Sequence, residues 1–423
     1  MRPRPMKHRA RQFALTLAFA VAWAAYSAAP ASSQILFEQG NEPVEIPLAY
    51  DFGVGARAMG MGGAHMAVAE DASAMYYNPA GLALIRRIEL SAAFSHQDDE
   101  IDVDYRGELM ESPLSSTKLH QIALAYPVPT YRGSFVLGFA YHRTVSLDRD
   151  YFRSGPDAGG GREVESITDR GGLGMYSIAA AFDASPHISI GASLSLLGGS
   201  SDTDYFISWT EDGGGEYSYA SESDIDGVTG SVGLLYKFEP TGRLGLAVNF
   251  PRKMSLDGTF EDAEVLETFK DDLTLPFSLS GGAAFTPPNF VFALDLKFTD
   301  WSQIDYEGPI RVFDQVGRRI AVYKTTTQVR AGAEFIVPNA PLRLRAGYYY
   351  DPVPYKLFFT DSAYYLADTD EERDYFTLGG GVILEDSLSL DVAFVTGGFV
   401  RSAQGATEET NQNRVFISAG YRY

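Results

Sequence analysis

Ser387-Leu388-Ser389-Leu390-Asp391-Val392-Ala393-Phe394 puts Leu388, Leu390, Val392 and Phe394 on one side of an extended chain and Ser387, Ser389, Asp391 and Ala393 on the other. Successive side chains of a strand point to opposite faces, so this segment has one greasy and one small or polar face. The pattern recurs. Leu244, Leu246, Val248 and Phe250 alternate with Arg243, Gly245, Ala247 and Asn249. Phe290, Phe292, Leu294, Leu296 and Phe298 alternate with Val291, Ala293, Asp295 and Lys297, and Ile188, Ile190, Ala192, Leu194 and Leu196 with Ser189, Gly191, Ser193 and Ser195. A soluble sandwich also alternates, so the connections must decide.

About fourteen strand regions are readable, near residues 88–106, 116–126, 133–149, 170–183, 187–205, 220–238, 242–258, 270–286, 289–307, 320–336, 341–352, 372–385, 387–400 and 412–423. Short links (126–132, 184–186, 239–241, 287–288, 337–340, 385–386) take turns with expected long loops near 107–115, 150–169, 206–219, 259–269, 308–319, 353–371 and 401–411. Short turns at one end and long loops at the other are the asymmetry of an outer-membrane barrel. The expected fold is all-β: a transmembrane antiparallel β-barrel of about 14 strands (residues 88–423), in contact with outer-membrane lipid around its wall.

Composition fits. Of 423 residues, 42 are Gly, 25 Tyr and 27 Phe, and the mean hydropathy is −0.11. Only every second residue of a barrel strand meets lipid, so such a value suits a barrel better than a helical membrane protein. The absence of cysteine excludes a cysteine-linked lipid anchor, thiol catalysis and thiolate metal sites. A net charge of −21 makes nucleic acid a poor partner. Arg2, Arg4, Lys7, Arg9 and Arg11, an apolar run from Phe13 to about Ala25 and the small residues Ala29-Pro30-Ala31 make residues 1–33 an expected secretory signal peptide. The histidines lack metal-binding spacing and no nucleophile–base motif is present, so no enzyme, cofactor or metal is expected. The acid-rich stretches 257–272 and 361–374 read as solvated loops, with divalent-cation bridging as the sharper alternative.

Residues 34–87 do not alternate. They hold Gly53-Val54-Gly55-Ala56-Arg57-Ala58-Met59-Gly60-Met61-Gly62-Gly63 and then Asp71-Ala72-Ser73-Ala74-Met75-Tyr76-Tyr77-Asn78-Pro79-Ala80-Gly81. The glycines permit tight turns. Asp71 is the expected N-cap of a short helix that Asn78-Pro79 ends. The loose match of 53–58 to a dinucleotide fingerprint lacks the βαβ unit that motif needs. A compact plug, or hatch, is expected here, with Gly55, Arg57, Met59, Gly60, Met61, Gly62, Gly63, Asp71, Asn78, Pro79, Ala80 and Gly81 as gate residues. Arg330, Glu334, Arg343 and Arg345 alternate with apolar neighbours. On the lipid face an arginine would cost roughly 2–4 kcal/mol at mid-depth, so these charges are expected in the lumen, holding the plug or steering a carboxylate headgroup. Gly138 is a candidate kink in the third strand.

The glycine-rich and Asn-Pro-Ala stretches resemble the N-terminal plug of the FadL/TodX outer-membrane transport family. The segments Leu294-Asp295-Leu296-Lys297-Phe298-Thr299-Asp300-Trp301-Ser302 and Leu344-Arg345-Ala346-Gly347-Tyr348-Tyr349-Tyr350-Asp351-Pro352 are similar to its later strands. The resemblance implies passive uptake of a hydrophobic ligand such as a long-chain fatty acid, a plugged lumen, and sideways exit at a kinked strand. The final segment Val415-Phe416-Ile417-Ser418-Ala419-Gly420-Tyr421-Arg422-Tyr423 resembles the terminal strand recognised by the barrel assembly machinery, which implies that partner and the cell outer membrane as location. Glu45-Ile46-Pro47 followed by residues 55–63 is also similar to PorV-like barrels, which implies a partner role in protein secretion or surface attachment as the alternative.

Overall fold

The structure is a computed structural model that describes residues 48, 51–156, 160–210, 214–238, 240–307, 323–354, 358–360, 363–365, 373–403 and 406–423. The expected signal peptide, most of residues 34–50 and most of the acidic stretch 361–374 lie outside them.

Alternation becomes a closed barrel of 14 antiparallel strands. They are β1 Glu89–Tyr105, β2 Glu108–Val128, β3 Phe135–Ser146 continued by Arg149–Pro156, β4 Arg162–Ser185, β5 Ile188–Trp209, β6 Gly215–Phe238 and β7 Gly242–Asn249 continued by Arg252–Asp262. Then follow β8 Leu266–Leu275 continued by Ser278–Phe285, β9 Phe290–Asp300 continued by Asp305–Glu307, β10 Thr325–Ile336, β11 Leu342–Tyr350, β12 Asp374–Leu384, β13 Leu388–Ala403 and β14 Ala406–Arg422. Closure is made by β14 on β1, from Glu89↔Arg422 to Tyr105↔Ala406, and Tyr423 N–H donates to Ile88 O at 2.8 Å. No edge is left at that join for pairing with another chain. The wall sorts its side chains as the pattern requires: on β9, Leu294 and Leu296 are 50% and 48% exposed, while Val291, Ala293 and Asp295 are buried inward.

The expected long loops are corrected in several places. Residues 108–115, 162–169, 206–209, 215–219, 259–262 and 406–411 continue the strands, and the first hairpin turns tightly at Arg106-Gly107, both at positive φ. β5 and β6 run 22 and 24 residues, about twice what a tilted strand needs to cross lipid. Beyond the lipid both faces are wet. The hydrophobic alternation then fades while the ladder bonds continue, so a sequence pattern tied to lipid stops too early.

One seam breaks the wall. The β2–β3 ladder ends at Gln121↔His142, although β2 stays on β1 out to Tyr105↔Glu108 and the β3 continuation stays on β4 from Arg149↔Asp169 to Pro156↔Arg162. Tyr151 of that continuation packs on Ile101, Val103 and Tyr105 of β1, so β3 leans into the lumen. The interruption falls at Leu147-Asp148, which corrects the expectation for Gly138. Gly138 is regularly paired on both sides, to Ala125 and Ala179, and a Cβ there would lie 2.5 Å from Met75 Sδ of the plug. It is glycine because the plug approaches closely.

Candidate functional site

Residues 51–87 fold inside the lumen as α1 Ala56–Met59, α2 Ala74–Tyr77 and a 3-10 turn Pro79–Leu84. Helices this short are marginal alone, so wall contacts must hold them. The Gly62 amide donates to Thr377 Oγ1 of β12 at 2.9 Å, Met66 N–H to Asp295 Oδ2 of β9 at 2.8 Å, and Ala72 N–H to Glu89 Oε1 of β1 at 2.8 Å. Asn78, fully buried, donates to Met66 O and to Leu234 O of β6 and accepts from Ala80 N–H. It also ends α2 in extended conformation, as expected. Asp71 does not cap that helix directly. Ser73 stands at the N-cap, and Asp71 accepts from its N–H at 3.0 Å, which starts the turn two residues early.

The expected gate residues are packed. Met59 lies against Tyr349, Tyr375, Val395 and Phe416, and Met61 lies against Leu235, Val291 and Ala293. Gly60, Gly63, Pro79, Ala80 and Gly81 are buried. Gly62 has φ +64° and its missing Cβ would fall 2.6 Å from Tyr348 O. Gly62→Ala is therefore expected to unseat this end of the plug and raise ion leak across planar bilayers while the barrel keeps its heat-modifiable gel migration. A silent, unchanged barrel would contradict the close fit.

Under the plug lies an ion network. Glu334 of β10, with no exposed side-chain surface, accepts from Arg345 at 2.6 Å and Arg343 at 2.9 Å and meets Arg57 of the plug at 3.4 Å. Arg57 also meets Glu70 at 3.1 Å and Asp71 at 3.6 Å, Arg243 meets Glu70 at 3.3 Å, and Arg345 meets Asp391 at 2.6 Å. Burial pushes the Asp71 carboxyl up, but His65 and the Arg57 charge outweigh it and hold it well below the carboxylate range. A depressed folded pKa stabilises at pH values above the unfolded one and is lost as pH falls. Plug protection in hydrogen exchange is thus expected to be flat from neutral pH down to about 5 and to weaken below about 4. Weakening between pH 7 and 6 would refute this role for Asp71.

Above the plug the lumen turns apolar. Val145 and Leu147 of the β3 break, Leu173 and Met175 of β4, Leu197 of β5, Ile225 of β6, Met254 of β7 and Leu273 and Leu275 of β8 form one buried cluster. A cavity of about 100 Å³ adjoins it, between Met66, Met75 and Tyr76 of the plug and Met175, Leu275 and Trp301 of the wall. Three cations and two carboxylates, Asp51 and Asp295, line the same cavity. Arg252 is bound to Asp51 at 2.7 Å, whereas Lys297 and Arg330 have no ion-pair partner among the described residues, and Arg330 sits 5.7 Å over the Tyr349 ring. A general porin lumen is polar and water-filled; this one is plugged and greasy above the plug.

A sequence profile of the family described as outer membrane protein transport protein (OMPP1/FadL/TodX) matches residues 50–422, nearly the whole barrel and plug. The chain belongs to this family. Its members are outer-membrane barrels that transport hydrophobic compounds, so this protein is located in the cell outer membrane. A Pseudomonas aeruginosa FadL homologue shares the fold at 15% identity and TM-score 0.61, covering 88% of this chain and 99% of that one. The P. putida toluene transporter TodX (16%, TM-score 0.60) and the Ralstonia pickettii toluene transporter TbuX (14%, TM-score 0.58) cover the same shares. No curated protein sequence matches the chain significantly.

Within this FadL/TodX barrel the four charges singled out by sequence divide. Glu334, Arg343 and Arg345 join the plug network, and Arg330 turns to the cavity. Lys297, Arg252 and Asp51 were not singled out. The signal for Lys297 was its inward place between Leu296 and Phe298. Asp51 and Arg252 are 201 residues apart, and no local spacing announces their pairing.

Proposed function

We propose that the protein takes up hydrophobic molecules with an anionic head, long-chain fatty acids among them, by passive entry into the apolar lumen and sideways release at the β2–β3 seam. The observation that carries this reading is the pair of cations without ion-pair partners among the described residues, Lys297 and Arg330, in a cavity of mixed lining that adjoins the apolar lumen cluster. A carboxylate there would give both cations a direct ion-pair partner while its chain lay against Met175, Leu275 and Trp301. Charge-assisted hydrogen bonds contribute about 1.5–3 kcal/mol, or roughly 10- to 100-fold in affinity. The variant carrying both Lys297→Met and Arg330→Met is expected to lose that much affinity for oleate and little for oleyl alcohol. Equal loss for both probes would reject the headgroup assignment and leave an uncharged hydrocarbon, as the names of the toluene transporters suggest, as the substrate class.

A further inference from the structure

We infer that Asp148 is the clasp that holds the β2–β3 seam shut. The inference rests on the sideways-release reading for its functional meaning and on geometry for its existence. Where the β2–β3 ladder has ended, the strand edges have lost their backbone partners across the gap. A carboxylate bridges it nearest the end of the ladder, while farther out Ser154 N–H donates to Met110 Sδ at 2.9 Å and Arg162 meets Glu108 at 2.8 Å. Asp148 Oδ2 accepts from Ser116 Oγ at 3.1 Å and meets Lys118 Nζ at 3.0 Å, both on β2. Its Oδ1 accepts from Gly171 N–H of β4 at 3.1 Å. The Asp148 side chain is 1% exposed, so the pair with Lys118 is shielded from water and salt on its acidic side. The two residues of the interruption divide the work: Leu147 packs into the apolar lumen cluster and Asp148 ties the wall. Breaking the clasp loosens β3 from β2 next to Leu147, where the apolar lumen cluster meets the wall. Asp148 is a positioning residue for release, acting through the strand and not through contact with the ligand.

The chain has no cysteine, so paired labels can be placed without background. Spin labels at Glu111→Cys on β2 and Phe152→Cys on β3, both exposed, report the seam in lipid nanodiscs. Labels at Asp104→Cys and Glu111→Cys report the intact β1–β2 ladder beside it. Asp148→Ala is expected to lengthen and broaden the seam distance by up to about 5 Å, one strand spacing, and to leave the ladder distance unchanged. Lys118→Met, which spares the Gly171 contact, is expected to do the same to a smaller extent. An unchanged seam distance in both variants, or equal broadening of the ladder pair, overturns the clasp. Transfer of a fluorescent fatty-acid analogue from the preloaded lumen to nanodisc lipid is expected to quicken severalfold in Asp148→Ala. Seam widening without faster transfer overturns the part in release. A parent protein that takes up no analogue counts against the proposed function, while the distance measurement still tests the clasp.

Discussion

Replacing Glu334 with alanine is expected to release the plug and lower the barrel's stability more than any other single change in the lumen. The Glu334 carboxylate has no solvent contact and faces Arg57, Arg343 and Arg345. Removing one partner of a buried charge set leaves the others uncompensated, at about 3–5 kcal/mol. Here three guanidiniums are affected, although Asp391 still meets Arg345, and Glu70 and Asp71 still meet Arg57. The loss should therefore fall first on Arg343, whose one ion-pair partner among the described residues is Glu334. The midpoint of heat-modifiable migration should drop clearly in Glu334→Ala and less in Glu334→Gln, which keeps hydrogen-bond acceptance. Hydrogen exchange should rise in residues 56–72. A midpoint unchanged within error in both variants would mean that the network is a spectator.

The second large effect is expected from deleting the plug itself. A chain lacking residues 51–84 should still close its barrel, because the β14–β1 join and the other ladders involve no plug residue. Its lumen should conduct ions. Barrels of eight strands are filled by their own side chains, and those of 16–18 strands leave a channel. At 14 strands this wall cannot fill its own interior, and it offers the plug mainly small faces such as Gly332 and Gly347, whose missing side chains the backbone of Met61 and Gly62 replaces. Planar bilayers should show steady conductance for the deletion and silence for the parent chain. A silent deletion that retains heat-modifiable migration would show that loops or the inward-leaning β3 close the pore instead.

The lipid-facing wall was legible in the sequence because lipid imposes a two-residue period, as Leu388, Leu390, Val392 and Phe394 display. The lumen charges were legible for the same reason, since Glu334 and Arg345 have no tolerable place outside. What was hidden depends on partners far along the chain. Nothing near Arg57 announces Glu334, 277 residues away, and nothing near His142 announces that pairing with β2 ends there, or near Leu147-Asp148 that β3 is interrupted. A glycine was the natural place to look for a kink, yet Gly138 serves the plug's approach and the break falls on a leucine and an aspartate. The extension of β5 and β6 beyond lipid was hidden because water on both faces erases the pattern that marks a strand.

Passive uptake of radiolabelled oleate tests the central claim most directly, in de-energised cells stripped of their own transporters for hydrophobic compounds. Uptake is expected to rise with the amount of this barrel in the outer membrane and to persist without an energy source, since the lumen offers an apolar path. A rate equal to that of cells lacking the protein, with the barrel folded and inserted, would contradict the account.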